Sequence, residues 1–152
     1  MRANKFNAKK TYVDGIKFDS KAEAKYYLQL KWLKQADQIK DFKLQPRFLL
    51  QEAFIKNGKT FRKIEYVADF EVHNLDGSIE IIDIKGVATE SFKIKRKLYE
   101  RRYDTPLKVL VYDESFGFIE IDKLKKTKGK AEKSTAKRNN RRRSAVVGSR
   151  RR

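Results

Sequence analysis

The sequence predicts an α/β (α+β) fold: a single domain with elements in the order α-β-β-β-α-β, a mixed sheet flanked by helices, and a group of acids at one edge of the sheet. Three stretches carry that prediction. An amphipathic helix with its own cap opens at Ser20, an aromatic and β-branched hairpin turns at Asp76-Gly77, and Leu107–Tyr112, LKVLVY, is continuously apolar. The first has helical period, the second has strand composition around a tight turn, and the third suits a buried parallel strand.

Composition sets the bounds. A chain of 152 residues accommodates one domain with one modest core. It shows no apolar run of membrane-spanning length and no signal-peptide pattern, so a cytoplasmic protein is expected. With no cysteine, disulfides, zinc–cysteine sites and thiol catalysis are excluded. The formal net charge is +18, unevenly spread: residues 123–152 hold fourteen Lys or Arg against one Glu, and residues 1–122 carry only +5. The expected organisation is a basic arm over 1–10, a domain over 11–122 and a polycationic tail over 123–152. That tail has too little apolar surface to fold alone, and Lys125, Lys126, Arg141, Arg142 and Arg143 are its candidate phosphate contacts. Nucleic acid is the first partner such a balance suggests.

Within the domain, Thr11–Phe18 reads as a small hairpin about Asp14-Gly15, and Asp19–Asp37 as the first helix. Ser20 and Glu23 make a capping box, and Tyr26, Tyr27, Leu30 and Leu33 form the apolar stripe. Glu23 falls on the core side of that helix, so it either caps or serves a site. Ile39–Leu44 leads to Gln45-Pro46, where proline ends regular structure. Arg47–Phe54, Phe61–His73 and Ser78–Lys85 then read as an antiparallel meander, its first turn at Asn57-Gly58. His73, the sole histidine, is expected to be exposed beside a polar turn. A second helix, Phe92–Tyr103, capped by Thr89 or Ser91, presents Lys93, Lys95, Arg96, Lys97, Arg101 and Arg102 against Glu100. These cations are candidate phosphate contacts, the plainer alternative being a solvated face. Asp104-Thr105-Pro106 breaks the helix before Leu107–Tyr112, and Phe116–Ile121 closes the domain.

The hairpin Tyr66–Gly86, YVADFEVHNLDGSIEIIDIKG, concentrates the chemistry. Alternation places Asp83 and Lys85 on one face after Ile79 and Ile81. With Gly77 in the left-handed position, Asn74 pairs with Ser78, and the same register sets Asp69 opposite Asp83. Cross-strand Cβ atoms lie only ~4.5–5.5 Å apart. Two carboxylates so close repel unless one is protonated or a cation joins them, and Mg²⁺ favours such oxygen ligands. A solvated charge cluster is the competing reading.

Asp69 followed by Asp83-Ile84-Lys85 resembles the motif of the PD-(D/E)xK nuclease superfamily. The phrases GIKFDSKAEAKYY, YVADF, IDIKG and FKIKRKLYE resemble a phage-encoded branch that includes Holliday-junction resolvases, over roughly Lys5 to Tyr112. Ala68 stands where the superfamily name has proline, and Asp83 where glutamate is common. The resemblance implies a restriction-endonuclease-like core and a Mg²⁺-dependent endonuclease acting on DNA, with Mn²⁺ as substitute and no small-molecule cofactor. It implies that Asp69, Asp83 and the backbone carbonyl of Ile84 hold the metal, with Glu23 either joining them or only capping its helix. Lys85 would orient the attacking water or stabilise developing charge, and Gln45 would touch the metal's water or the scissile phosphate. A four-way junction as substrate implies a homodimer, with Phe116–Phe118 and the apolar remainder of the first helix as candidate patches. The alternatives are a nicking or restriction-like endonuclease on duplex DNA and a non-catalytic nucleic-acid binder.

Overall fold

The structure, a computed structural model, describes residues 10–124. Strands β1 (Thr11–Val13) and β2 (Ile16–Phe18) form the expected hairpin, with Asp14 and Gly15 both at positive φ, the geometry of a two-residue turn. Helix α1 (Lys21–Gln35) follows. It is shorter at each end than expected, because Ser20 is extended as the N-cap and Ala36 and Asp37 leave helical geometry. Its inner face buries Ala24, Tyr26, Tyr27 and Leu30.

Next come β3 (Ile39–Leu44), β4 (Arg47–Gln51), β5 (Phe54–Lys56), β6 (Lys59–Phe61), β7 (Ile64–Val67), β8 (Phe70–Asn74) and β9 (Ile79–Ile84). Helix α2 (Glu90–Arg102), capped by the Thr89 hydroxyl, precedes β10 (Leu107–Asp113) and β11 (Gly117–Glu120). Five strands make the main sheet in the order β11-β10-β9-β8-β3. β10 runs parallel to β9, as its apolar continuity predicts, and the other neighbours are antiparallel. The fold is therefore α+β with a mixed sheet between two helices. On the α1 side Phe70, Val72, Ile82 and Ile84 pack with Tyr26 and Leu30; on the α2 side Tyr66, Ile81 and Val109 pack with Phe92 and Tyr99. Alternation along β9 feeds both layers, and each fully buried large side chain contributes about 1.5–3 kcal/mol.

Two expectations need correction. The meander is not Arg47–Phe54, Phe61–His73, Ser78–Lys85: the inner neighbour of β9 is β8, and β8's other neighbour is β3. The segment 61–73 is not one strand either, since β7 pairs with β4 outside the main sheet and β6 with β5. The cause lies at Gln45-Pro46 and Ala68-Asp69. Leu44 pairs with Phe70 and Arg47 with Val67, so the intervening residues are equal in number and the ladder continues in register through a sharp bend. Gln45 N–H donates to the Asp69 carbonyl at 2.9 Å, and Ala68 N–H to the Pro46 carbonyl at 3.1 Å. Pro46 has no N–H to return, and Gln45 takes φ 50°, left-handed backbone that costs a non-glycine residue about 1–2 kcal/mol. Beyond the bend β4–β7 and β5–β6 form one two-stranded ribbon, turned at Asn57-Gly58 as expected.

The acids are also not at a lateral edge. They cluster where β9, the central strand, ends and β8 begins, whereas β3 and β11 are the edges.

Candidate functional site

The hairpin register is the one the sequence predicts. His73 pairs with Ile79, Asn74 N–H donates to the Ser78 carbonyl at 2.9 Å, and Gly77 has φ 84°. Counting back, Phe70 faces Ile82, and there the paired register ends. Asp69 is a bend residue, not a strand residue. Its N–H donates to the Ile82 carbonyl at 3.1 Å, and its Oδ2 accepts the Ile84 N–H at 2.6 Å. Bonded to the residues on either side of Asp83, Asp69 straddles that position rather than standing squarely opposite it. Burial, and after it the charge of Asp83, push the Asp69 carboxyl up to about 7, against the opposing pull of the Ile84 amide.

Asp83 is the only buried charged residue among those described, at 0% exposure. Lys85 shares its face, with Nζ 3.0 Å from Asp83 Oδ2. That contact is an ion pair without hydrogen-bond alignment, for neither Asp83 oxygen has a hydrogen-bond partner among the described residues. Lys85 Nζ also lies 5.2 Å from the ring centroid of Phe92, at the start of α2. The Tyr66 hydroxyl is buried without a hydrogen-bond partner as well. Burial and then Asp83 push this phenol up, so it remains protonated beside the carboxylate. The Lys85 ammonium offsets part of the cost of burying this carboxylate, and the Tyr66 phenol lies close enough to interact with it. With neither oxygen hydrogen-bonded among the described residues, the carboxylate keeps acceptor capacity for a further partner.

Glu23 stands at the rim. Its Oε1 accepts from the Ser20 hydroxyl at 2.8 Å and its Oε2 from the Asp19 N–H at 3.2 Å, while Ser20 Oγ accepts the Glu23 N–H at 3.1 Å. The glutamate thus reaches back as a capping box requires, one residue further than usual. Burial holds its carboxyl above the ordinary value, against the opposing hydrogen bonds from the Ser20 hydroxyl and the Asp19 N–H and the charge of Lys85. Glu23, Gln45 and Asp69 line one cavity of about 90 Å³ with Phe18, Leu44 and Phe70. The structure therefore gathers Glu23, Gln45, Asp69, Asp83 and Lys85 around one end of the central hairpin.

A cation was expected there, and the donor set can be judged on its chemistry. Among the described residues no three Asp, Glu, His or Cys side chains come together to hold a metal ion, and the Glu23 carboxylate accepts from Ser20 and Asp19. Two aspartates remain, one contributing two oxygens without hydrogen-bond partners. Mg²⁺ keeps most of its water and commonly takes only one or two carboxylates, so Asp69 and Asp83 fit a hard divalent cation.

Helix α2 departs from its expected role in one respect. Lys95 donates to the Glu65 carbonyl at 3.0 Å, Arg102 to the Leu50 carbonyl at 3.4 Å, and Arg96 pairs with Asp122. Lys93 pairs with Glu90 at 2.5 Å. Lys97 and Arg101 are exposed and keep their charge turned to solvent. Much of this helix's positive charge thus secures the ribbon base and the segment that follows β11. His73 is half-buried, bonded to Glu71 at 2.7 Å, and takes no part in the site. Lys125, Lys126, Arg141, Arg142 and Arg143 lie outside the described residues.

Tyr66 and Phe92 were not expected at the site. Neither follows from strand alternation, because the bend at Ala68-Asp69 moves β7 out of the sheet and Phe92 arrives with α2. The usable signal was proximity alone: a tyrosine three residues before Asp69.

No helix among the described residues is long and apolar enough to cross a membrane. No curated protein matches the chain. Residues 3–115, which take in both strands of the central hairpin, the bent ribbon and α2, match the model of the family described as Protein of unknown function (DUF1064), and the chain belongs to that family.

Proposed function

We propose that this protein is a divalent-metal-dependent endonuclease of the PD-(D/E)xK type that hydrolyses DNA phosphodiester bonds. The observation that carries the reading is Asp83: a fully buried carboxylate without a hydrogen bond among the described residues, beside the half-buried Asp69 and 3.0 Å from a lysine ammonium. A protein that only binds nucleic acid gains nothing from two acids crowded at such a point, since they repel phosphate. Asp69 and Asp83 would hold Mg²⁺ or Mn²⁺, with the carbonyl of Ile84 as a further donor at the same strand end. Such an ion supplies Lewis acidity toward a phosphate oxygen. Lys85, held between Asp83 and the Phe92 ring, presents its charge where negative charge develops on the phosphate. Gln45 and Glu23, on the wall of the adjoining cavity, orient water. The tail cations and the exposed Lys97 and Arg101 supply attraction to phosphate that is indifferent to sequence.

Within this class we favour a Holliday-junction resolvase acting as a two-fold dimer in a phage-host cytoplasm. One chain carries one such site, and resolving a junction takes two symmetric cuts. Leu28 and Trp32 on α1 and Phe116 are exposed apolar candidates for the dimer contact, whereas Phe118 packs inward against Tyr26. The test incubates a fixed four-way junction, a fork and a linear duplex side by side with Mg²⁺, and weighs the active species by light scattering. Cleavage that requires metal and is lost in Asp83→Asn and Lys85→Ala supports the nuclease. A monomer cutting linear duplex as readily as the junction rejects the resolvase and leaves a nicking or restriction-like enzyme. No cleavage of any substrate, with metal and wild-type protein, rejects the nuclease.

A further inference from the structure

We propose that the bent ribbon Arg47–Val67 is a duplex-binding arm whose tip grips DNA phosphates away from the site. The base of the ribbon is fixed. Tyr103 donates to the Leu49 carbonyl at 3.0 Å, Lys95 to the Glu65 carbonyl at 3.0 Å, and Phe48 packs edge-on against Tyr99 and Tyr103. The outer half is different. Every residue of β5 and β6 is exposed, Ile55 at 75%. Isolated two-stranded ribbons are marginal in water, and this one is braced by the rings of Phe54 and Phe61, stacked 4.7 Å apart and 7° from parallel.

An exposed ribbon with hydrophobic side chains needs an occupant, and its charge selects one. From Phe54 to Lys63 the chain has Lys56, Lys59, Arg62 and Lys63 and no acid. Lys63 pairs with Glu65 at 2.9 Å, and Lys59 lies 5.4 Å from the Phe61 ring centroid, which leaves its charge open. A second copy of this chain docking tip to tip across a two-fold axis would set lysines against lysines. Polyanionic duplex has the complementary charge, and its major groove admits a two-stranded ribbon. Lys59 lies ten residues before Asp69, a reach of at most ~33 Å and shorter because of the bend at Ala68-Asp69, so the tip and the aspartates fall within one helical turn of B-DNA. The side of the ribbon that leads into Asp69, through β6 and β7, is thus the side that carries the tip cation Lys59, which ties duplex held there to the two aspartates through one short run of chain. Nucleic acid as the substrate of the neighbouring site is the premise; hydrolysis is not.

The test is therefore binding without metal. Full-length protein and its Lys56→Ala/Lys59→Ala/Arg62→Ala variant are titrated with a linear duplex in EDTA across a range of salt. A Lys21→Ala/Lys40→Ala variant controls for charge removed elsewhere, and circular dichroism checks folding. The slope of log K against log salt should fall by about 0.9 for each phosphate no longer engaged, so by up to ~2.7 in the triple variant and little in the control. Ile55→Ala should weaken binding with the slope unchanged. Equal slopes for the triple variant and the control, or wild-type protein that fails to bind duplex, overturn the proposal. So does a wild-type dimer that Ile55→Ala dissociates while DNA binding is untouched, which would make the ribbon a self-association arm. Absence of Mg²⁺-dependent cleavage in wild type, with the slopes as expected, would instead sink the nuclease and leave the arm.

Discussion

Replacing Asp69 by asparagine should stabilise the protein at neutral pH while removing its activity. The amide is isosteric and its oxygen can still accept the Ile84 N–H, so the substitution removes charge and little else. The carboxyl rises from an ordinary 3.8 to about 7 in the folded protein, chiefly through burial and then the charge of Asp83. At about 1.4 kcal/mol for each tenfold change in proton affinity, that difference corresponds to about 4 kcal/mol. The sign follows from proton counts. Between 3.8 and about 7 the folded state holds a proton that the unfolded state has released, so stability falls as pH rises through this window. Below 3.8 both states are protonated and the contribution is fully present; above about 7 it is gone. Urea unfolding of wild type and Asp69→Asn in EDTA, from pH 4 to pH 8.5, measures the difference. The curves should converge at the acid end and separate steadily toward neutrality, with the variant more stable by as much as ~4 kcal/mol above pH 7. Parallel pH profiles, or a variant less stable at pH 8, would show that Asp69 suffers no such repulsion and would remove the electrostatic case for a cation at this site.

Other outcomes follow from the same geometry. Mg²⁺ should raise the melting temperature of wild type, by the equivalent of about 2.7 kcal/mol at one hundred times its Kd, and should fail to do so in Asp69→Asn or Asp83→Asn; calorimetry decides it. Asp83→Asn and Lys85→Ala should slow hydrolysis at least ~10²-fold with the circular dichroism spectrum unchanged. Glu23→Gln should lower the melting temperature through the weakened cap, at ~1 kcal/mol, and a drop in kcat beyond that of Ser20→Ala would add a role at the cation. Truncation before Lys123 removes +13 of charge, and it should flatten the salt dependence of binding while kcat at saturating DNA holds.

The parts of this molecule that were legible in the sequence are those set by local rules. The cap at Ser20, the turns at Asp14-Gly15, Asn57-Gly58 and Asp76-Gly77, and the parallel strand Leu107–Asp113 each depend on a few neighbouring residues. The pairing of Asp83 with Lys85 needs only alternation along one strand. What escaped was the bend. Pro46 announces an interruption in one strand, but nothing in YVAD says that the partner strand bends with it. That depends on the two segments lying side by side, a tertiary fact. From this one omission came the misplaced meander, the position of Asp69 beside Asp83 instead of squarely across from it, and the absence of Tyr66 from the expected site. The cations of α2 were a different case: composition showed how many there were, but not that Lys95, Arg96 and Arg102 would be engaged by the Glu65 carbonyl, Asp122 and the Leu50 carbonyl.

The uninterrupted register through the bend restricts how this fold can diverge. A single residue inserted into one side of the ribbon, unmatched on the other, would either bulge locally or slide the ladder and turn every later side chain to the opposite face. On the Ile64–Val67 side that slippage would run straight into Ala68 and Asp69. The ribbon already absorbs one unmatched residue, Leu50, between the pairs Leu49–Glu65 and Gln51–Ile64. Apart from such a bulge, the length of the arm changes by matched steps, residues added or removed on both strands together. Relatives with longer or shorter arms that keep the bulge at Leu50 should differ by even numbers of residues between the proline and the first aspartate. Sequence counting across such relatives would read out a hydrogen-bond ladder that none of their individual residues reveals.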